Sequence, residues 1–384
     1  MNYQHLTQVM DLGDGRNVTL ETGKLAKQAD GSVVVRLGDT MVMATVVSDK
    51  NADDGIDFLP LMVDYREMYA GAGRFPGGFF KREARPSESE ILTCRLVDRA
   101  LRPLFPDDYH ANTVIQIQMI SSDGENMPDA LACLAASAAI SVSDIPFNGP
   151  VSEVRVARID GVFVINPTIS QLDEADLEMV IAGTSDSIVM VEGEMFEISE
   201  EEMLEAIKTA HEVIKRQIDA QNALASNIEK AKTKREYSHE EDDEAILATV
   251  KEVVYAPASA MAKEGIANKS IRGERLDAMK KELIEKLGEE VYEENKPMIA
   301  RYFKATQKKA VRDVVLDTRK RLDGRDLNEI RPIWSEVNYL PGAHGSAIFT
   351  RGETQSLTTC TLGAARDEQM IDGAFMQGTS AFLL

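Results

Sequence analysis

Phe79-Phe80-Lys81-Arg82, followed closely by Arg85, sets two aromatic rings beside three cations. Such rings offer π-faces on which bases stack, each stacked base contributing about 1–3 kcal/mol with little regard to sequence. The cations can pair with backbone phosphates. Further along, Arg95, Arg99 and Arg102 stand at i, i+4 and i+7, so a helix carrying them presents all three on one face. That face could hold phosphate or RNA. Structural alternatives stand beside these readings. The phenylalanines could be core residues next to surface charge, and Arg95 or Arg102 could pair with Asp98 or Glu90 on the same helix. Between Arg74 and Arg102, seven basic residues meet four acids (Glu83, Glu88, Glu90, Asp98), a local excess of three positive charges in a chain of net charge -21. The net charge alone argues against a nucleic-acid partner; the location of the charge argues for one.

The elements that must position these residues are legible nearby. Gly71 to Gly78 is loop by composition. Its glycines do not have the dinucleotide-binding spacing, and Pro76 sits where that motif's helix would start. Ser87-x-x-Glu90 after Pro86 is a capping box, and Pro103 ends a helix read from Ser87 to Arg102. Ile91, Leu92, Leu96 and Leu101 are expected to face its core. Before it, Ser32–Leu37 and Met41–Val47 read as strands joined at Gly38-Asp39-Thr40, with Phe58–Asp64 as another short strand. After it come a strand over Thr113–Ile120, a small-residue apolar helix over Asp129–Val142 and a hairpin turning at Asp160-Gly161. Strands over Leu177–Gly183 and Ser187–Glu192 follow, then a helix opened by a second capping box, Ser199-x-x-Glu202. This mixture of strands and helices is one α+β unit.

From about Ser238 strand-like runs disappear. Glu240 to Leu316 reads as about three amphipathic helices, broken near Ala267–Gly273 and at Pro297, with charged residues forming a solvated surface. The expected organisation is an α+β core over 1–235, an all-α domain over 236–316, and a second, incomplete core over 317–384. The longest apolar run, Ala130–Val142, is too short to span a bilayer. Residues Met1–Gln8 lack the pattern of a secretory signal, so a cytoplasmic protein without a membrane is expected. Cys94, Cys133 and Cys360 suggest no disulfide framework, and the scattered histidines suggest no zinc site.

Strand character returns after Leu322-Asp323-Gly324-Arg325, and with it a repeat. Gly31-Ser32, Gly38, Asp39-Thr40 and Thr45 match Gly345-Ser346, Gly352, Glu353-Thr354 and Thr359 at a constant offset of 314. Asp14-Gly15-Arg16 similarly matches Asp323-Gly324-Arg325. The reading is a duplicated core whose second copy stops at Leu384 in an apolar run, before any counterpart of the arginine-rich helix. A fragment, or completion from elsewhere, is the expectation.

Phe79–Ser87 with Arg95–Pro106 resembles the first ribonuclease PH-like core of the bacterial polynucleotide phosphorylase family, and His344–Gln355 is similar to the start of its second core. Ile145–Pro150 and Leu322–Arg325 fit as well. The resemblance covers the chain as the family's N-terminal portion. It implies mixed sheets with helices, then an all-α domain, then the second core. It also implies homotrimeric rings that degrade single-stranded RNA from the 3′ end, with inorganic phosphate as attacking co-substrate and Mg2+ required. Roles in mRNA decay and in an RNA-degrading complex go with it. By this resemblance Phe79, Phe80, Lys81, Arg82, Arg85, Arg95, Arg99 and Arg102 bind RNA, although Lys81 stands where arginine is common and lacks the bidentate fork. Ser121-Ser122-Asp123 has the composition of a phosphate cradle, but the family's first core has lost most of its catalytic equipment. Catalytic and metal-binding residues are expected beyond Leu384, with Asp367, Glu368 and Asp372 as loop residues; none is assigned here. The 384 residues alone are expected to be inactive. The alternative is a non-catalytic RNA-binding or scaffold module of a ring-shaped RNA-degrading complex.

Overall fold

Alternation of apolar and polar residues produces the first sheet. In the computed structural model, which describes residues 5–383 apart from 54, 78–80, 84 and 239–241, the strands are β1 (Leu6–Asp11), β2 (Asn17–Thr22), β3 (Gly31–Leu37), β4 (Thr40–Ser48) and β5 (Leu61–Glu67). Helix α1 (Glu88–Leu101), strand β6 (Thr113–Ser121) and helix α2 (Asp129–Ser141) follow. The sheet order is β1-β2-β3-β4-β6-β5, with β5 as an edge strand parallel to β6. Its inward residues include Leu20, Val35, Val42, Ile115 and Ile117, all fully buried. Each such side chain contributes about 1.5–3 kcal/mol of burial.

A second sheet is built from β7 (Ser152–Ile159), β8 (Val162–Ile165), β9 (Leu177–Gly183) and β10 (Ile188–Met195), in the strand order β10-β9-β7-β8, with the one-turn helix α3 (Ile169–Leu172) between β8 and β9 in the chain. Helix α4 (Glu200–Ser226) packs on β7 and β9. Helix α2 is apolar on all sides because it packs against β3, β4 and β6 of one sheet and β7 of the other. Its small residues permit close approach: a side chain at Gly31 would lie 1.9 Å from the Ala139 carbonyl oxygen. Arg235 closes this unit, bonding Asp144, Asp30 at 3.0 Å and the Ser48 carbonyl at 2.9 Å.

The chain divides into two compact units, residues 1–239 with 369–384, and residues 240–368. The second contains α5 (Glu244–Glu264), α6 (Lys269–Leu287), α7 (Glu289–Glu294) and α8 (Lys296–Thr318), then a sheet of β11 (Ile333–Val337), β12 (Gly345–Arg351) and β13 (Thr354–Cys360). The first helix break, at 265–268, overlaps the front of the expected stretch Ala267–Gly273, the second falls beside Pro297, and a further one lies at Gly288. Gly273 lies inside α6, because Gly265 in the left-handed region ends α5 and Asn268 caps α6 through the amides of Ser270 and Ile271. Pro297 sits in the first turn of α8, where its missing N–H costs nothing, and the break falls at Gly288 and Asn295. By length and composition α5 could cross a membrane. Its Ile246, Val250, Val254, Ala258 and Met261 instead form this unit's core with residues of α8.

The repeat is visible in hydrogen-bond register. Leu37 pairs with Thr40 and Gly31 with Val46; at the same offset Arg351 pairs with Thr354 and Gly345 with Cys360. Gly38 and Gly352 turn these hairpins at φ of 61° and 64°. In both Asp-Gly-Arg turns the aspartate accepts from the arginine's backbone N–H and from its Nε. The last elements, β14 (Gln369–Asp372) and β15 (Gln377–Ser380), pair as a hairpin belonging to the first unit. Its Ala374 and Phe375 are buried against Met119, beside Tyr69, Ala72, Met127 and Ile169.

Candidate nucleic-acid interface

Helix α1 begins as its capping box dictates. Ser87 Oγ accepts from the Glu90 amide at 3.2 Å, and the Glu90 carboxylate accepts from the Ser87 amide at 2.6 Å. The same carboxylate accepts from the Glu67 amide at 2.8 Å, so the cap also fixes α1 to the end of β5. Such a cap contributes about 1 kcal/mol. The stripe that α1 buries is Thr93, Val97, Ala100 and Leu101. Leu101 is as expected, Leu96 packs only in part, and Ile91 and Leu92 are exposed, because at about 100° per residue they fall on the side of the helix turned away from the buried stripe.

Along the α1–β5 seam runs an open groove of about 680 Å³, lined by Leu61, Met62, Val63, Cys94, Arg95, Asp98, Arg99, Arg102 and Pro103. The three arginines therefore share one surface, but their duties differ. Arg102 donates from Nε and Nη2 to Asp98 at 2.9 and 2.6 Å, and to the carbonyls of Leu59 and Leu61 at 3.0 and 3.1 Å. Four of its five N–H groups are thereby used, and it clamps the edge strand to the helix. This is the structural alternative foreseen for it. Arg99 pairs with Glu192 of β10 at 2.5 Å, both exposed, a bond that a phosphate can replace at little cost. Arg95 is exposed, and its side chain makes no hydrogen bond or ion pair among the described residues. Sequence reasoning missed Glu192, and also Cys94, whose Sγ accepts from the Tyr65 amide at 3.1 Å. Burial pushes the Cys94 thiol up, so it stays protonated.

Lys81, Arg82 and Arg85 are exposed in the segment leading into α1. Lys81 holds a φ of 48°, unusual for a side chain of its size. The Glu83 carboxylate accepts from the Tyr69 amide at 3.4 Å. Phe79 and Phe80, the expected stacking rings, lie outside the described residues.

Ser121-Ser122-Asp123 is occupied internally. Burial pushes the Asp123 carboxyl up, but hydrogen bonds from Asn126, Glu125, Thr40 and Asp39 outweigh that and bring it to about 2. Ser121 Oγ donates to the Asp39 carbonyl, and Ser122 Oγ accepts from the Gly124 amide. These residues pin the β3–β4 turn. Two carboxyls elsewhere in this unit are raised, the half-buried Glu67 at the end of β5 and the buried Glu153 of β7. Burial, then the Glu90 charge, raises Glu67 to about 7, and the Glu67 carboxylate accepts from Tyr65 Oη at 3.2 Å. Burial, then the Asp129 charge, raises Glu153 to about 8. Among the described residues, no group of three or more His, Cys, Asp or Glu side chains is placed to hold a metal ion.

Comparison with known proteins places this geometry. The family model described as the 3′ exoribonuclease family, domain 1, matches residues 14–146 and again 329–380, the two ends of the repeat. Domain 2 of the same family matches residues 149–213. A model described as the polyribonucleotide nucleotidyltransferase RNA binding domain matches residues 249–326, most of the helical segment. The polyribonucleotide nucleotidyltransferase of Bacteroides fragilis is 58% identical over 379 residues, 99% of this chain and 53% of that protein. Those of Cytophaga hutchinsonii and Porphyromonas gingivalis are 55% identical over 100% and 99% of this chain and 54% and 51% of their own lengths. The chain thus spans about half the length of the curated relatives it matches. A solved structure, that of rice (Oryza sativa) Rrp46, is similar with a TM-score of 0.45 and 14% identity, over 58% of this chain and 95% of its own. With two matches to one exoribonuclease domain flanking the helical match, and relatives of one name along nearly its whole length, this chain belongs to the polyribonucleotide nucleotidyltransferase family, whose N-terminal portion it matches.

Proposed function

We propose that the whole protein is a 3′–5′ phosphorolytic exoribonuclease. A phosphate oxygen attacks the terminal phosphorus of single-stranded RNA, the bond to the preceding nucleotide's O3′ breaks, and a nucleoside diphosphate leaves the shortened chain. The observation that carries this reading is the exposed Arg95 guanidinium, unpaired among the described residues, in an open groove beside the exchangeable Arg99–Glu192 pair, in a chain 58% identical to a polyribonucleotide nucleotidyltransferase. Arg95 and Arg99 supply positive charge for the phosphates, Lys81, Arg82 and Arg85 add to it, and Phe79 and Phe80 are assigned to stacking bases. Arg102 sets the distance between helix and edge strand. The same reading takes the protein to be a homotrimer of the cytoplasm that acts in mRNA decay. Mg2+ is its cofactor, inorganic phosphate its co-substrate and an RNA-degrading complex a partner.

These 384 residues by themselves hold RNA without turning it over. Support comes from the carboxylates nearest the expected catalytic segment, which already have other work. Asp372 accepts from Gln377 at 3.2 Å, and Asp367 from the Ala364 amide at 2.8 Å. The test is phosphate-dependent release of nucleoside diphosphates from poly(A), measured for this chain and for the full-length protein. Clear turnover by this chain would refute the assignment of catalysis to the remainder; no turnover by the full-length protein would refute the activity itself.

A further inference from the structure

The helical unit has its own groove of about 370 Å³, lined by residues of α6, α7 and α8. Its size is at the lower end of small-ligand sites, which run from about 300 to 1,000 Å³. Two aromatic rings, Tyr292 and Phe303, stand in its wall, and three lysines, Lys280, Lys296 and Lys304, ring it with Gln307. No described lining residue is acidic. In a chain of net charge -21, three cations from two helices converge on one aromatic hollow.

The lysines are not consumed by structure. Among the described residues, Lys280 and Lys296 form ion pairs with exposed acids three residues earlier, Asp277 at 3.6 Å and Glu293 at 3.3 Å. Such pairs contribute about 0–1 kcal/mol and exchange readily. Lys304 is exposed, and its side chain has no hydrogen bond or ion pair among the described residues. Lys280 Nζ lies 5.9 Å from the centre of the Phe303 ring. Lys296 stands in the first turn of α8, where the helix dipole disfavours a cation by about 0.3–1 kcal/mol. An anion in the hollow would remove that cost.

We propose that this groove seats a nucleotide of single-stranded RNA, its base against Tyr292 and its phosphates on Lys280, Lys296 and Lys304. The inference rests on the proposed reading that the protein handles RNA, and it names a second holding point on the helical unit. RNA suits the groove better than an acidic peptide because a flat aromatic wall accepts any base, whereas a peptide carboxylate has no use for it. The groove also lies wholly within the segment matched by the RNA binding domain model.

The test is anisotropy of a labelled oligoadenylate with this 384-residue chain across a salt series. The variant carrying Lys280→Ala, Lys296→Ala and Lys304→Ala together should bind about tenfold more weakly, with a log–log salt slope shallower by about 2, at roughly 0.7 per phosphate contact. Its melting temperature should be unchanged, since all three lysines are exposed. Tyr292→Leu, which keeps apolar volume, should weaken binding severalfold without altering the slope. An unchanged affinity and slope in the triple variant, with Arg95→Ala still weakening binding, would overturn this groove and leave the proposed function standing. Failure of the parent chain to bind the oligonucleotide would overturn both. Loss of ADP or polyglutamate binding in the triple variant, with RNA binding intact, would assign the groove to a free nucleotide or a protein and overturn it as well.

Discussion

Replacing Arg95 and Arg102 one at a time should separate two jobs that one helix face performs. Arg95→Ala removes an exposed guanidinium that bonds nothing among the described residues, so its effect on stability should stay within about 0.5 kcal/mol. Its effect on RNA should be larger. One lost phosphate contact lowers the salt slope by about 0.7 for a single strand, and a hydrogen bond to a charged group contributes about 1.5–3 kcal/mol, or roughly ten- to a hundredfold in affinity. Arg102→Ala should do the reverse. It breaks a two-point pair with Asp98 and uncovers the carbonyls of Leu59 and Leu61. The pair is partly solvated, with side chains 42% and 30% exposed, so only part of the full hydrogen-bond value applies. About 1–2 kcal/mol is a reasonable cost, and with about 2–4 °C per kcal/mol for a unit of this size the melting temperature should fall by roughly 2–8 °C. Arg102→Lys should recover little, because an ammonium cannot span the carboxylate and two carbonyls at once. Thermal melting and oligonucleotide anisotropy on the same preparations decide it. If Arg102→Ala melts like the parent and loses RNA affinity, or Arg95→Ala binds RNA as the parent does, the division of labour is wrong.

Gly31→Ala should lower the melting temperature by several degrees, since its Cβ would meet the Ala139 carbonyl oxygen at 1.9 Å and overpacking costs about 1–3 kcal/mol or more. Glu67 gives a pH signature. Its folded value of about 7 lies above the unfolded value of 4.5, so the folded state binds the extra proton and stability contributed by this group falls as pH rises from about 4.5 to 7. Glu67→Gln keeps the acceptor for Tyr65 Oη and should lose that fall, melting higher than the parent at pH 8 and not at pH 4.5; parallel pH curves for the two would count against it. Replacing Phe79 and Phe80 by alanine should weaken RNA binding by about 1–3 kcal/mol per stacked base, and unchanged affinity would remove them from the interface.

What the sequence revealed was local. Ser87-x-x-Glu90 and Ser199-x-x-Glu202 both close as capping boxes, and the offset of 314 predicts the pairing register of the second hairpin. Such signals depend on neighbours a few residues apart. What was missed depends on distant partners. Nothing near Arg102 announces that the carbonyls of Leu59 and Leu61 will saturate it, and nothing near Arg99 announces Glu192. Ile91 and Leu92 look like core residues until the sheet selects the face of Val97 and Leu101. Gly273 looked like a break, but caps at Gly265 and Asn268 decide where the helices end. The raised carboxyls of Glu67 and Glu153 arise from burial, which no motif records.

The most direct test of the central claim is the identity of the product released from poly(A) by the full-length protein, with and without inorganic phosphate. The expected products are nucleoside diphosphates that appear only when phosphate is present and come from the 3′ end. Nucleoside monophosphates formed without phosphate would make the enzyme a hydrolase and contradict it.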